Sequence, residues 1–229
     1  MSEVEVTSTH YIKDGVKYER WSTIAHYFPH PDLNKWKRNK KLNDLSSIEW
    51  GDKNAFEDLK GLLKTLIDET HETKEGRSAK AIGSKVDKYC CDDAMGKGYK
   101  IKKSDNVEVK SAMEAWERWK SDWPERFKEI TDTQQIALYD DWGVGATLDL
   151  LSPKRITDIK TSKKVSLLYW VQLAVQNRKW KRDETWVLDL SKDYGEYDYI
   201  KCPDIYTQEY LEEVFIGMIN VYHFFNSEE

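Results

Sequence analysis

The sequence predicts an α/β domain with a central mixed sheet flanked by helices. Three observations carry this. From residue 107 onward the patterned segments run helix, three strands, helix, strand, the layout of a sheet with helices against it. Apolar residues recur at helical spacing in the long segments and give way to short runs rich in Ile, Leu and Thr between them. Hydrophobic residues make up 39% and aromatic residues 13% of the 229, with ten Trp, enough to build a real core. Pro is scarce, Gly is scattered, and no repeat or low-complexity linker interrupts the chain. The expectation is one domain over 1–229, with a hairpin and basic lead-in at 10–50, a core at 78–202 and a closing helix at 203–229.

The elements follow in order. Tyr11 to Tyr18 reads Y-I-K-D-G-V-K-Y, and Asp14-Gly15 is a two-residue hairpin signal. After a short helical stretch, Lys35 to Lys41 is densely basic around Trp36. Phe56, Leu59, Leu62, Leu63, Leu66 and Ile67 mark an amphipathic helix. Ser78 to Met95 reads as another. Val107 to Phe127 reads as a third, with Met113, Trp116, Trp119 and Trp123 as its core stripe. Gln135–Tyr139, Gly145–Leu151 and Arg155–Thr161 read as three consecutive strands of a meander. Leu167 to Trp180 returns to helical spacing. Thr185–Leu190 and Tyr197–Cys202 read as strands, and Thr207–Phe225 closes as a helix.

Composition bounds the function. The net charge of -5 argues against coating nucleic acid by bulk charge, but a nuclease needs carboxylates at its site and only local basic patches. Three cysteines, Cys90, Cys91 and Cys202, make neither a disulfide framework nor, by themselves, a four-cysteine zinc or iron–sulfur site. No iron–sulfur cluster is expected. No apolar run approaches the roughly 18 residues that span a bilayer, and the N-terminal residues are acidic and polar. A soluble, cytoplasmic chain without membrane contact is expected. P-loop, G-x-G-x-x-G and G-x-S-x-G patterns are absent, and the five His show no zinc-ligand spacing.

The chemistry gathers around Asp158-Ile159-Lys160. Asp149 lies in the preceding strand, and Ser152-Pro153-Lys154 is a short hairpin connection between the two. Antiparallel pairing across it brings both carboxylates to one end of the sheet. Strand periodicity puts Lys160 on the same face as Asp158. Carboxylate oxygens suit Mg²⁺ or Mn²⁺, which neutralise a scissile phosphate and activate water. A neighbouring ammonium positions that water or helps deprotonate it, and stabilises the charge that develops. The alternative is a surface Asp–Lys pair, worth little energetically. Two look-alikes, Asp58-Leu59-Lys60 and Glu108-Val109-Lys110, fall on a helix and at a helix start, with no acid-bearing strand before them.

D-I-K-T-S-K-K followed by Q-L-A-V-Q resembles the PD-(D/E)XK nuclease superfamily. More narrowly, it resembles the RecB-like branch that includes phage and mitochondrial genome maintenance exonucleases. Gly145-Ala146-Thr147-Leu148-Asp149 is similar to that branch's G-x-x-D element, with Ala where Gly is usual. Asp158-Ile159-Lys160-Thr161 matches D-x-K-T. Gln172 matches the Gln of Q-x-x-x-Y, with Gln176 in place of Tyr. Ile82-Gly83-Ser84-Lys85-Val86-Asp87 resembles the helix that carries a metal-binding His, with Asp87 in its place. Gln134 or Gln135 stands where an acid often precedes the G-x-x-D strand. The resemblance spans about residue 10 to about residue 202. It implies a restriction-endonuclease-like core. It also implies a metal held by Asp87, Asp149, Asp158 and the Ile159 carbonyl, with catalysis by Asp149, Asp158, Lys160 and Gln172. The alternative for Asp87 is a helix-surface acid.

The implied activity is metal-dependent DNA hydrolysis, as an exonuclease on single strands or ends in replication, recombination or repair. If the protein is viral, it would work in the host cytoplasm. DNA contacts would come from Lys35, Trp36, Lys37 and Arg38, from Thr161, Lys163 and Lys164, and from Arg178. The alternative for these clusters is a solvated face with core Trp. Two other readings stay open: a structure-specific endonuclease, and a nuclease fold altered at its His, Glu and Tyr positions that binds DNA or a protein.

Overall fold

A computed structural model describes residues 3–26, 74–162 and 165–226. β1 (Glu5–Val6), β2 (His10–Lys13) and β3 (Val16–Arg20) form an N-terminal meander that runs into α1 (Trp21–His26). Then come α2 (Lys74–Ala94), α3 (Val107–Asp122), α4 (Pro124–Lys128), β4 (Asp132–Tyr139), β5 (Val144–Leu151) and β6 (Arg155–Lys160). α5 (Leu167–Trp180), β7 (Glu184–Leu190), β8 (Tyr197–Lys201) and α6 (Gln208–Asn226) complete the described chain. The expected helix around 56–67 and the basic lead-in with Lys35, Trp36, Lys37 and Arg38 lie outside the described residues, as do Lys163 and Lys164.

The sheet is mixed, in the order β1-β2-β3-β5-β6-β7-β8, with β4 paired to β5. Asp14 and Gly15 take positive φ at 53° and 80°, which closes the β2–β3 hairpin. β3 pairs with β5 in parallel and β6 with β7 in parallel; the other pairings are antiparallel. Gly145 fits because a Cβ there would stand 2.4 Å from the Tyr11 ring, closer than any side chain tolerates.

Helices cover both faces. On one, α1, α5 and α6 bury Ile24, Trp170, Val171, Leu173, Phe215 and Met218 against Ala146, Leu148, Ile156 and Val187. On the other, α2 and α3 bury Ile82, Val86, Met113, Trp116 and Trp119 against Leu150, Ile159, Leu188 and Leu190. Covered on both sides, β6 is buried from Arg155 to Ile159.

One expected element is corrected. The helix expected over Val107–Phe127 breaks at Trp123, whose ψ of 51° is not helical, and α4 starts at Pro124. Pro124 has no N–H to donate and sits at a first-turn position, where none is needed. The break turns Trp123 outward, so only Met113, Trp116 and Trp119 of the expected stripe are buried. Among the described residues, no helix is long and apolar enough to cross a membrane.

Candidate active site

Strand β5 creates the site by serving two neighbours on one edge. β4 occupies its other edge from Asp132↔Leu151 to Tyr139↔Val144. On the shared edge, β3 pairs only at Glu19↔Val144 and Arg20↔Gly145, and β6 only at Leu150↔Thr157 and Leu151↔Ile156. The strands therefore part next to Asp149 and Asp158. Where a further ladder bond would fall, the Asp149 carboxylate (Oδ2) accepts from the Ile159 N–H at 2.8 Å.

Asp149 also marks a rotation of the strand. Leu148 and Leu150, two apart, would share a face in a regular strand. Here Leu148 joins the α5 side and Leu150 the α2 side. Opposite this point, Gln134 adopts φ 53° between the register pairs Thr133↔Leu150 and Gln135↔Leu148.

Three elements deliver side chains to the fork. Gly83, Asp87 and Cys91 recur every four residues along α2, so they lie on one helix face. At Gly83 that face lies close to the residue after β6: a Cβ there would meet Thr161 Oγ1 at 3.4 Å, an ordinary contact. Cys91 Sγ lies 3.3 Å from Asp87 Oδ1 and 3.7 Å from the Asp149 carbonyl. Gln134 Nε2 donates to Asp87 at 3.1 and 3.2 Å and reaches Asp149 Oδ1 at 3.5 Å. From α5, Gln172 Nε2 donates to Asp158 Oδ1 at 2.8 Å, while its Oε1 accepts from Lys160 Nζ at 3.2 Å. Lys160 also ion-pairs with Asp158 Oδ2 and lies 4.9 Å over the Tyr169 ring.

The electrostatics follow from crowding. Asp158 is fully buried and Asp149 and Asp87 partly so. Burial, then the charges of Asp87 and Asp158, hold the Asp149 carboxyl well above the usual range. Burial also raises Asp87, with Asp158 adding to it and the Cys91 and Gln134 contacts opposing it. For Lys160, burial favours the neutral amine, but Asp158 and Asp149 outweigh it and the ammonium is strengthened. Burial, then the charges of Asp87 and Asp149, push Cys91 far up, so it is a thiol rather than a thiolate at neutral pH. At the end of β7, across from Lys160, buried Asp189 is pushed up to about 6 by burial, with Asp198 contributing.

Three carboxyl groups thus face one ammonium, and a divalent cation would favour their ionised forms. The donors are oxygens of the kind Mg²⁺ and Mn²⁺ prefer. As arranged, they are not drawn into a cage: among the described residues, no three His, Cys, Asp or Glu side chains are grouped to hold an ion. Lys160 lies on Asp158, and the Gln134 amide bonds Asp87 and reaches Asp149.

The fork thus brings together Asp87, Asp149, Asp158, Ile159, Lys160 and Gln172, with Thr161 at its rim. Arg178 lies farther along α5, paired with Asp141 at 2.7 Å and stacked 3.9 Å over Trp142. Gln176, which replaces the expected Tyr, is buried and donates to the Thr147 carbonyl at 2.6 Å. Sequence reasoning passed over Gln134 as a missing acid, and it passed over Cys91, Tyr169 and Asp189. The i, i+4 relation of Asp87 and Cys91 was the one available signal.

No family model and no curated protein matches the chain. Among solved structures, the chain is similar to a candidate exonuclease from Eubacterium rectale. The TM-score is 0.52 at 18% identity, and the match covers 93% of this chain and 82% of the other. At that identity the likeness concerns the fold: a central mixed sheet with flanking helices, as in an exonuclease-like structure.

Proposed function

We propose that this chain is a metal-dependent DNA nuclease of the PD-(D/E)XK superfamily, RecB-like branch. It would act as an exonuclease on single strands or ends. The observation that carries the reading is the fork of β5 and β6. There, Asp158, Lys160 and Gln172 form one bonded set beside Asp149, with Asp87 facing them from α2. Structural ion pairs do not need three acids around one lysine. A metal-dependent site for phosphodiester hydrolysis has a use for them, since acids hold a cation and an ammonium meets the phosphate.

Asp149 and Asp158 would hold Mg²⁺ or Mn²⁺, with Asp87 and the Ile159 carbonyl as further ligands. The ion would supply Lewis-acid activation and neutralise phosphate charge. Lys160, kept cationic by its acids, stabilises negative charge at the phosphate and donates a hydrogen bond to the attacking water. It is a poor proton acceptor in this setting, so its role is electrostatic. Gln172 holds Asp158 and Lys160 in register through its two amide atoms. Thr161 at the rim, with Lys163 and Lys164, would contact the DNA backbone. Arg178 would have to release Asp141 to do so.

The test is Mg²⁺-dependent release of nucleotides from linear DNA, abolished in Asp158→Ala and Lys160→Ala with circular dichroism unchanged. Equal release by wild type and both variants in EDTA would refute the reading. One observation favours a second reading, a DNA- or protein-binding module without catalysis: a neutral amide, Gln134, occupies the gap between Asp87 and Asp149. That reading expects salt-sensitive DNA binding with no cleavage at any Mg²⁺ concentration.

A further inference from the structure

The connection between α2 and α3 carries Lys97, Lys100, Lys102 and Lys103 with no acid among them, in a chain whose net charge is -5. All four are exposed. Three acids that border the loop are engaged elsewhere. Asp105, at its foot, is buried and accepts from Lys85, Tyr89 and the Lys102 N–H. Asp92 pairs with Lys88 at 2.6 Å and stands 4.0 Å from Lys97. Glu117 accepts from Tyr99 and pairs with Lys120. Among the described residues, no ion pair forms at Lys100, Lys102 or Lys103.

The loop stands at the same end of the sheet as the fork. Asp105 ties it to Lys85 and Tyr89 on α2, the helix that supplies Asp87. At the loop's exit, α3 meets the turn after β7: Ser111 Oγ accepts from the Gly195 N–H at 2.7 Å and donates to the Ser191 carbonyl at 3.3 Å. β7 runs parallel to β6, so that turn follows the strand end beside Lys160. Tyr99, the loop's one aromatic residue, is stacked on Tyr89 at 5.7 Å and bonded to Glu117, so the loop presents charge more than aromatic surface.

We propose that Lys97, Lys100, Lys102 and Lys103 form a contact surface for the phosphate backbone of nucleic acid, holding the part of the strand that lies outside the fork. This rests on the nuclease reading above. Ammonium groups that meet phosphates release condensed counterions, so the contact is salt-dependent and indifferent to base sequence.

The experiment measures binding of a fluorescent oligothymidylate to the full chain in EDTA, by anisotropy across a salt series. A triple variant, Lys100→Gln with Lys102→Gln and Lys103→Gln, is compared with a control triple of equal charge, Lys154→Gln with Lys181→Gln and Lys201→Gln. The control lysines stand at the opposite end of the sheet: Lys154 precedes β6, Lys181 follows α5, and Lys201 pairs with Trp186 near the start of β7. The loop triple is expected to bind more weakly, with the slope of log K against log salt reduced by about 2, or about 0.7 per lost contact. The control is expected to match wild type. Unchanged affinity in the loop triple, or an equal loss in the control, overturns the inference and leaves the nuclease reading standing. So does a loss confined to phosphatidylserine vesicles, which would assign the loop to a membrane surface. Circular dichroism reports folding, and single substitutions decide if the triple does not fold. Cleavage of linear DNA with Mg²⁺ reports on the nuclease reading separately. Wild type that cleaves without salt-sensitive binding overturns this inference alone, and wild type that does neither removes both.

Discussion

Helix α2 takes part in two acid clusters that obey opposite rules. At one side, Asp105 is buried and accepts from Lys85 at 2.7 Å, the Lys102 N–H at 2.8 Å and Tyr89 at 3.0 Å. Those bonds, led by Lys85, lower its carboxyl to about 2. At the other, Asp87 faces Asp149 and Asp158 across a fork in the sheet, with one ammonium among them. There the carboxyls of Asp149 and Asp87 rise. Asp105 is matched to its partners, whereas the fork acids are short of them, the condition under which a bound ligand would complete them.

The largest expected effect breaks the second cluster and spares the first. Asp158→Ala or Lys160→Ala should lower Mg²⁺-dependent cleavage by about 10³-fold, measured as acid-soluble nucleotide, while Asp105→Ala leaves it near wild type. Gln172→Ala removes the amide that bonds Asp158 and Lys160, an orienting group in the proposed site rather than a ligand. It should cost about 10–100-fold in the same assay.

Stability should move the other way. Asp105→Ala strands Lys85 and Tyr89 and should lower the melting temperature by several degrees. Asp149→Asn relieves repulsion and should raise metal-free stability by about 1 kcal/mol, read by urea unfolding, while abolishing the proposed cleavage. Equal destabilisation by both would erase the distinction between the clusters.

The smallest effect is in pH dependence. Asp105 has a lowered carboxyl, so its contribution is complete above the ordinary carboxylate value and is lost as pH falls toward about 2. Asp87, Asp149 and Asp189 are raised, so their folded forms hold protons more tightly than the unfolded chain. Their effect is loss of metal-free stability as pH rises from the ordinary carboxylate value, through about 6 for Asp189. Urea unfolding without metal should therefore show higher stability near pH 5 than near pH 7, and the slope should flatten in Asp149→Asn.

Much of this was legible in the sequence because it depends on periodicity. The Asp14-Gly15 turn, the meander with Asp149 and Asp158 on neighbouring strands, and the placement of Gln172 on the following helix all follow from spacing. What escaped depends on backbone conformation without a residue signature. Gln134 is neither Gly nor Asn, so nothing announces its positive φ. The rotation of β5 at Asp149 reverses the alternation that a strand pattern assumes, and it is visible only in which core receives Leu148 and Leu150. The parallel joining of β3 to β5 links segments more than a hundred residues apart, and no local rule foretells it. Pro124 did carry a signal, and the Trp spacing across it hid the break.

The central claim is that the fork is short of positive charge and completes itself with a divalent cation. The most direct measurement is thermal melting of wild type and Asp158→Asn with and without Mg²⁺, since a ligand of the folded state raises its melting temperature. Mg²⁺ should raise the midpoint of wild type and leave that of Asp158→Asn where it was. An equal rise in both, or none in either, would contradict the claim.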